Sequence, residues 1–228
     1  MADTTRLNIS KLGTKTYWDD FYALERANFN QNPDDTGECW FDDNDAERRM
    51  VDFLLDNVGE QLIDMKSSMI DLGTGNGHLL FELCENGFSG PMLGVDYSSE
   101  SVAFAHSVSK VRQFDAFARF EAADIFQADW CPGKFDIVLD KGTLDAIALS
   151  GLQFENHKTV FDCYSEVIEK ILNKNGVFLI TSCNFSEDEL VRLIQTKNLV
   201  KWKSIKYPSF EFGGVKGTAI CSVAFFKR

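Results

Sequence analysis

From residue 68 onward the chain alternates short apolar runs with helix-length amphipathic stretches, and that alternation constrains the fold more than any other feature. Met69-Ile70-Asp71-Leu72, Pro91-Met92-Leu93-Gly94-Val95-Asp96, a stretch near 117–123, Phe135-Asp136-Ile137-Val138-Leu139-Asp140 and Val177-Phe178-Leu179-Ile180 read as strands. Helices are expected over 78–86 and 99–111, and over Val160 to Leu172, where Tyr164, Val167, Ile168 and Ile171 belong to one stripe that Asn175-Gly176 ends. The order is βαβαβ, hence α/β with a mainly parallel sheet and helices on both faces. A short helix near 186–196 precedes strands at about 202–207 and 218–226, separated by Gly213-Gly214. A helix-free connection implies an antiparallel pair at the C-terminus.

Ahead of this pattern, residues 1–16 are polar and expected to be loosely ordered, and an aromatic-rich helix runs from Tyr17 to about Phe29. Asn32-Pro33-Asp34-Asp35-Thr36-Gly37 is turn chemistry. Asn44 or Asp45 can cap a helix whose Ala46, Met50, Phe53, Leu54 and Val58 recur on one face. Residues 1–60 therefore read as an N-terminal extension with flanking or lid helices, and 61–228 as the main domain, together one structural unit.

With 44% hydrophobic residues and twenty Phe, the chain is too apolar to remain disordered. Its net charge of −12 disfavours a sequence-independent grip on nucleic-acid phosphates and suits a basic protein partner or simple solubility. No apolar run approaches the roughly 20 residues that span a bilayer, and the first residues lack a signal-peptide core. An intracellular protein is expected. Cys39, Cys84, Cys131, Cys163, Cys183 and Cys221 form no Cys-x-x-Cys pair and read as buried free thiols, while His78, His106 and His157 stand isolated in sequence, so no metal site is expected.

The strongest chemical signal is Asp71-Leu72-Gly73-Thr74-Gly75-Asn76-Gly77, between the first strand and the next helix. Alternating glycines let the backbone turn sharply and approach a ligand where a Cβ would collide. Asp96, at the end of the second strand and followed by Tyr97-Ser98, is placed to accept hydrogen bonds from both ribose hydroxyls of a nucleoside cofactor. Nicotinamide dinucleotides share this plan. Three features favour S-adenosylmethionine: Asp71 just before the first glycine, a third glycine one place early for Gly-x-Gly-x-x-Gly, and the terminal strand pair. Asp71 can anchor the loop or receive the cofactor's ammonium. Asp124-Ile125, after the third strand, can take the adenine.

Asp140-Lys141-Gly142-Thr143-Leu144-Asp145 follows the fourth strand, at the carboxyl edge where open α/β sheets bind ligands. Asp140 is expected to orient an acceptor amine there, with Lys141 and Thr143 beside it. No Asn-Pro-Pro-Tyr run occupies the position, which removes support for adenine or glutamine-amide methylation. Trp18 and Trp40 can roof the cofactor or a lysine channel, since an aromatic face favours a sulfonium or ammonium group, or can be plain core.

These segments carry a resemblance over nearly the whole chain. It is similar to the seven-strand, Rossmann-like S-adenosylmethionine-dependent methyltransferases, and within them it closely resembles the translation elongation factor 1-alpha lysine methyltransferases. The resemblance rests on Leu12-Gly13-Thr14 with Tyr17-Trp18-Asp19, Asp35-Thr36-Gly37-Glu38 with Trp40-Phe41, and the glycine motif. It continues in Asp96-Tyr97-Ser98, Asp140-Lys141-Gly142-Thr143 with Asp145-Ala146-Ile147, Ile180-Thr181-Ser182-Cys183-Asn184 and Phe210-Glu211-Phe212-Gly213-Gly214. The glycine motif marks only the superfamily; the other paired segments are more specific. The resemblance implies methyl transfer from S-adenosyl-L-methionine to a lysine of elongation factor 1-alpha, in the cytoplasm, by a monomer making no direct contact with nucleic acid or membrane. Methylation of another protein or a small molecule, a nicotinamide-dependent oxidoreductase, and an idle fold that binds a partner through its acidic surface are the alternatives.

Overall fold

Met69–Leu72 forms strand β1, and all four of its side chains are buried because strands flank both of its edges and helices cover both of its faces. The structure is a computed structural model that describes residues 7–154, 158–208, 210–212 and 215–228, with the backbone alone over 210–212 and 215–217. The helices are α1 (Lys15–Gln31), α2 (Ala46–Asp56), α3 (His78–Glu85), α4 (Ser99–Arg112), α5 (Thr143–Ala148), α6 (Val160–Ile171) and α7 (Glu187–Ile194). After β1 come β2 (Met92–Asp96), β3 (Ala118–Ala122), β4 (Phe135–Lys141), β5 (Leu172–Ser182), β6 (Leu199–Ile205), β7 (Phe210–Phe212), β8 (Val215–Gly217) and β9 (Cys221–Lys227).

The main sheet has seven strands in the order β3-β2-β1-β4-β5-β9-β6. β3, β2, β1, β4 and β5 pair in parallel, and β9 runs antiparallel to both β5 and β6. This is the doubly wound α/β sheet with an antiparallel C-terminal pair expected from the sequence. Because side chains alternate along a strand, Met69 and Met92 enter one core with Met50, Leu54, Leu80 and Phe104. Ile70, Leu72, Val138 and Ile180 enter the other with Tyr164, Ile168 and Leu190.

Several local details differ from the sequence reading. The described part of the segment expected to be loosely ordered is anchored, since Ser10 N donates to Leu149 O at 3.0 Å and Lys11–Gly13 forms a 3-10 turn against α5. Asp45 precedes α2 in the left-handed region without a side-chain cap, and Val58 lies past the helix and is exposed. Asn175-Gly176 does not stop α6. The helix ends at Ile171, and the pair falls where the β4–β5 register shifts between Phe135 and Ile137. The β7–β8 hairpin and the short α5 were not anticipated. Only Cys221 of the free thiols is buried; Cys131 and Cys183 are exposed. His157 and Gly213-Gly214 lie outside the described residues.

α1 crosses back over α4, with the Phe29 and Phe104 rings 5.7 Å apart and an Arg26–Glu100 ion pair at 2.7 Å. This docking carries Trp18 and Tyr22 to the carboxyl ends of the parallel strands. Among the described residues, no helix is long and apolar enough to cross a membrane.

Candidate functional site

A cavity of about 480 Å³ lies along the carboxyl edge of the parallel strands, within the usual range for small-molecule sites. One side is lined by Asp96, which ends β2, with Tyr97 beyond it, and by Asp124 and Ile125 after β3; the other by Lys141, which ends β4, with Thr143 and Asp145 beyond it, and by Cys183 and Asn184 after β5. The glycine loop after β1 forms the floor, and Leu12, Trp18, Tyr22 and Trp40 close the cavity from the N-terminal side.

All three glycines of the motif lie in the left-handed region, Gly73 (φ +66°) and Gly75 (φ +57°) within the loop and Gly77 (φ +82°) where it enters α3. A Cβ at Gly73 would stand 2.0 Å from Thr143 Oγ1, and one at Gly75 would stand 2.5 Å from Tyr22 Oη. Any side chain there would break the packing that carries the loop. Gly75 N donates to Asp96 Oδ2 at 3.1 Å, and Ser98 N donates to Asp96 Oδ1 at 2.9 Å, so the second-strand carboxylate also fastens the loop. Asn76 Nδ2 reaches Thr36 O at 3.0 Å and Glu38 O at 3.3 Å, which ties the loop to the N-terminal segment.

Asp71 is 3% exposed, and its Oδ1 has no hydrogen-bond partner within the chain. Burial pushes its carboxyl up to about 7, only partly offset by Thr74 and Lys141 nearby. A buried carboxylate oxygen left unpaired in a cavity wall is costly unless a ligand supplies a donor. The residues present therefore fit a ligand that brings a cationic or hydrogen-donating group to Asp71 and hydroxyls to Asp96. Trp18 and Trp40 stand with ring centroids 5.1 Å apart, and Trp18 Nε1 donates to Leu12 O at 2.7 Å.

Three expected site residues do not reach the cavity. Ser98 is fully buried and caps α4 by accepting from Ser101 N at 3.3 Å, and Gly77 precedes α3 behind the loop. Asp140 is the larger correction. It is 0% exposed, accepts from Thr143 N at 2.7 Å and Leu144 N at 3.0 Å, and receives the Tyr164 hydroxyl. Leu72 and Asp140 are register partners, so Asp140 lies on the Leu72 face of the sheet, where the first turn of α5 closes over it. The geometry thus places Asp140 under the first turn of α5 and outside the cavity lining. Thr143 lines the cavity but spends its hydroxyl on Leu72 O at 2.6 Å.

Lys141 also lines the cavity, held by Trp40 O at 3.1 Å and Glu47 Oε2 at 3.5 Å. Glu47 Oε1 lies 2.5 Å from His78 Nδ1, so this histidine is not isolated in the fold. The imidazole's hydrogen bond to Glu47 raises its pKa. Cys39 Sγ donates to Glu47 Oε2 at 3.5 Å, and Cys39, Glu47 and His78 bring three metal-ligating atom types within 4.8 Å. The Lys141 ammonium already balances the Glu47 charge, so the group forms an ion-paired cluster. Sequence reading missed His78, Tyr22, Asp145 and Asn184 as wall residues; only the last two had a signal, lying inside the specific paired segments.

Residues 63–214 match the family model "Methyltransferase domain". The chain is 58% identical, over the full length of both, to "Protein-lysine N-methyltransferase EFM4" of Saccharomyces cerevisiae. It is 32% identical over 219 residues to "EEF1A lysine methyltransferase 2" of Homo sapiens, covering 96% of this chain and 87% of that one. Among solved structures, the N-methyltransferase NodS from Bradyrhizobium japonicum shares the fold with a TM-score of 0.62 at 14% identity, over 92% of this chain and 98% of that one. The glycine loop, the second-strand carboxylate and the end-to-end identity agree: the chain belongs to the S-adenosylmethionine-dependent protein-lysine methyltransferases of the EFM4 and EEF1A lysine methyltransferase 2 family.

Proposed function

We propose that this protein methylates a lysine side chain of translation elongation factor 1-alpha. The observation that carries the reading is the 58% identity over the whole chain to a named protein-lysine N-methyltransferase. The relatives from Danio rerio, Mus musculus and Homo sapiens bear the acceptor in their names. In this reading Asp96 takes the ribose hydroxyls, Asp124 and Ile125 the adenine, and Asp71 the ammonium of the cofactor's amino-acid end. Trp18 and Trp40 close the site, and residues 1–60 serve as the flank that positions them on the 61–228 domain. A monomer acting in the cytoplasm, without direct contact to nucleic acid, is consistent with an elongation-factor acceptor and a net charge of −12.

When bound, S-adenosylmethionine supplies a methyl group on a sulfonium, and in-line displacement by an amine leaves S-adenosylhomocysteine. A lysine of pKa about 10.4 is neutral roughly once in 2,500 at pH 7, so forming the nucleophile costs about 4–5 kcal/mol unless the site lowers that pKa. Exclusion of water by the walls, Phe41 and Ile147 among them, disfavours the charged amine, while the Trp18 and Trp40 faces suit the cofactor's sulfonium. Positioning of the neutral nitrogen along the sulfur–carbon axis supplies most of the acceleration.

The test is mass spectrometry of elongation factor 1-alpha, purified from cells lacking this enzyme, after incubation with the protein and S-adenosylmethionine. A mass gain of one or more methyl groups on one lysine is expected. No gain on the intact factor removes the acceptor while leaving the family assignment in place.

A further inference from the structure

The cavity is longer than one nucleoside and has a direction set by strand order. Its walls come from the ends of β3, β2, β1, β4 and β5 in turn, and at about 4.8 Å per strand the β2 and β5 ends lie roughly 14 Å apart. Asp96, Asp124 and Ile125 occupy the β2–β3 end. A cofactor with its ribose there leaves the β4–β5 end to the acceptor. Of the acidic residues lining the cavity, Glu38 is exposed, while Asp71, Asp96 and Asp124 serve the cofactor half in the reading above.

Asp145 stands at the acceptor end. It is 5% exposed, yet it lines the cavity together with Cys183 and Asn184. Its Oδ1 accepts from Ser182 Oγ at 2.5 Å and its Oδ2 from Cys183 N at 2.8 Å. Ser182 Oγ in turn accepts from Asn184 N and Phe185 N, both at 3.1 Å, so the carboxylate is held in a fixed place by the turn after β5. Both of these partners are neutral donors. Burial raises the Asp145 carboxyl pKa, while Ser182, Cys183 and Asn184 favour its ionised form, and the side chain still contributes to the cavity wall. Among the described residues no cation pairs with Asp145; a buried carboxylate in that position is costly to maintain, and a primary ammonium entering the cavity would relieve that cost.

We propose that Asp145 is the carboxylate that receives the ammonium of the acceptor lysine. The inference rests on the lysine-methylation reading and adds the residue that selects the amine. The docked ammonium loses its proton to water, the nitrogen lone pair forms the new nitrogen–carbon bond, and the sulfur–carbon pair stays with sulfur. Asp145 binds and aims the amine; it is not required to hold the proton.

The experiment measures binding to the protein loaded with S-adenosylhomocysteine, using elongation factor 1-alpha and its version with methionine in place of the modified lysine. The wild type should prefer the lysine form by about tenfold or more, as expected for one charge-assisted contact. Asp145→Asn should bind both forms equally and lose turnover about a hundredfold, with unchanged affinity for S-adenosylmethionine as the check on folding. Ser182→Ala removes a hydrogen bond of the same turn but keeps the charge, so it should keep the preference, whereas a purely structural Asp145 would make the two variants alike. Asp145→Ser is the second variant if the asparagine form does not fold. An active wild type with an Asp145→Asn variant that retains preference and turnover overturns this inference alone. A wild type that methylates no lysine of the factor overturns the acceptor reading and the inference with it.

Discussion

Tyr164 donates its phenolic hydrogen bond to Asp140, and this pair is sealed in the core between α6 and the end of β4. The contact, with the two N–H bonds from the start of α5, turns the most conspicuous acid of the Asp140-Lys141-Gly142-Thr143 segment into a structural part. Burial pushes the Asp140 carboxyl up to about 7 and the Tyr164 hydroxyl well above its ordinary value. Asp140→Ala should therefore destabilise the protein by about 3 kcal/mol, since it strands two backbone donors and a hydroxyl in the core. Urea unfolding checks this. A fully stable variant with a selective loss of methyl transfer would return Asp140 to the acceptor site.

Asp96 fastens the glycine loop through Gly75 N, and in the proposed reading it also takes the cofactor ribose. Asp96→Ala should weaken S-adenosylmethionine binding by about 2–3 kcal/mol, because the ribose contact and the Gly75 anchor go together. Isothermal titration measures it, and unchanged affinity in a folded variant would remove the ribose role.

If Asp71 receives the cofactor's ammonium, binding needs its charged form. With the carboxyl titrating at about 7 in the free protein, affinity should rise between pH 6 and pH 8 and flatten above. Asp71→Asn should bind more weakly and lose the pH dependence. A flat profile in the wild type would assign Asp71 to anchoring the loop instead.

Stability should run the other way. Asp71 and Asp140, both raised to about 7, hold protons in the folded state that the unfolded chain releases at lower pH, so their destabilising effect is relieved as pH falls from 8 toward 5. His78, raised by Glu47, adds stability that is complete below its unfolded pKa of about 6.5 and is lost as pH rises through the folded value. Without ligand, the unfolding free energy should be larger at pH 6 than at pH 8, by on the order of 1–2 kcal/mol, and the unfolding midpoint correspondingly higher. Below about pH 4.5 the Glu47 pairing, whose pKa is lowered, should begin to fail. A midpoint that climbs steadily from pH 6 to pH 8 would contradict the burial of these acids.

The net charge of −12 predicts how a basic acceptor is met. Association with elongation factor 1-alpha should slow as salt rises past about 0.15 M, where the Debye length is roughly 8 Å, while the chemical step barely responds. The unfolded factor should be a poor acceptor, because ordering it costs free energy on binding. Stopped-flow association across a salt series and methyl incorporation into folded and unfolded factor test both points. Equal incorporation into the folded factor, the unfolded factor and an unrelated basic protein would reject specific recognition.

Much of this was legible along the chain itself. The apolar runs, the glycine loop and the terminal strand pair are local patterns, fixed by alternation and turn chemistry within a few residues, and the family is readable from short specific segments. Asp71 and Asp96 were identifiable because one lies at the penultimate position and the other at the end of a strand, each beside its own turn. What only the tertiary structure decided is which side chains meet across the chain. Glu47, His78 and Lys141 come from α2, α3 and β4 and find one another only when three elements dock on the same sheet edge. Asp140 and Asp145 sit five residues apart in one motif, yet the short helix α5 covers the first and delivers the second to the cavity. Sequence spacing placed both acids at the right edge; the turn of the helix, set by packing against Tyr164 and the β5 end, chose between them.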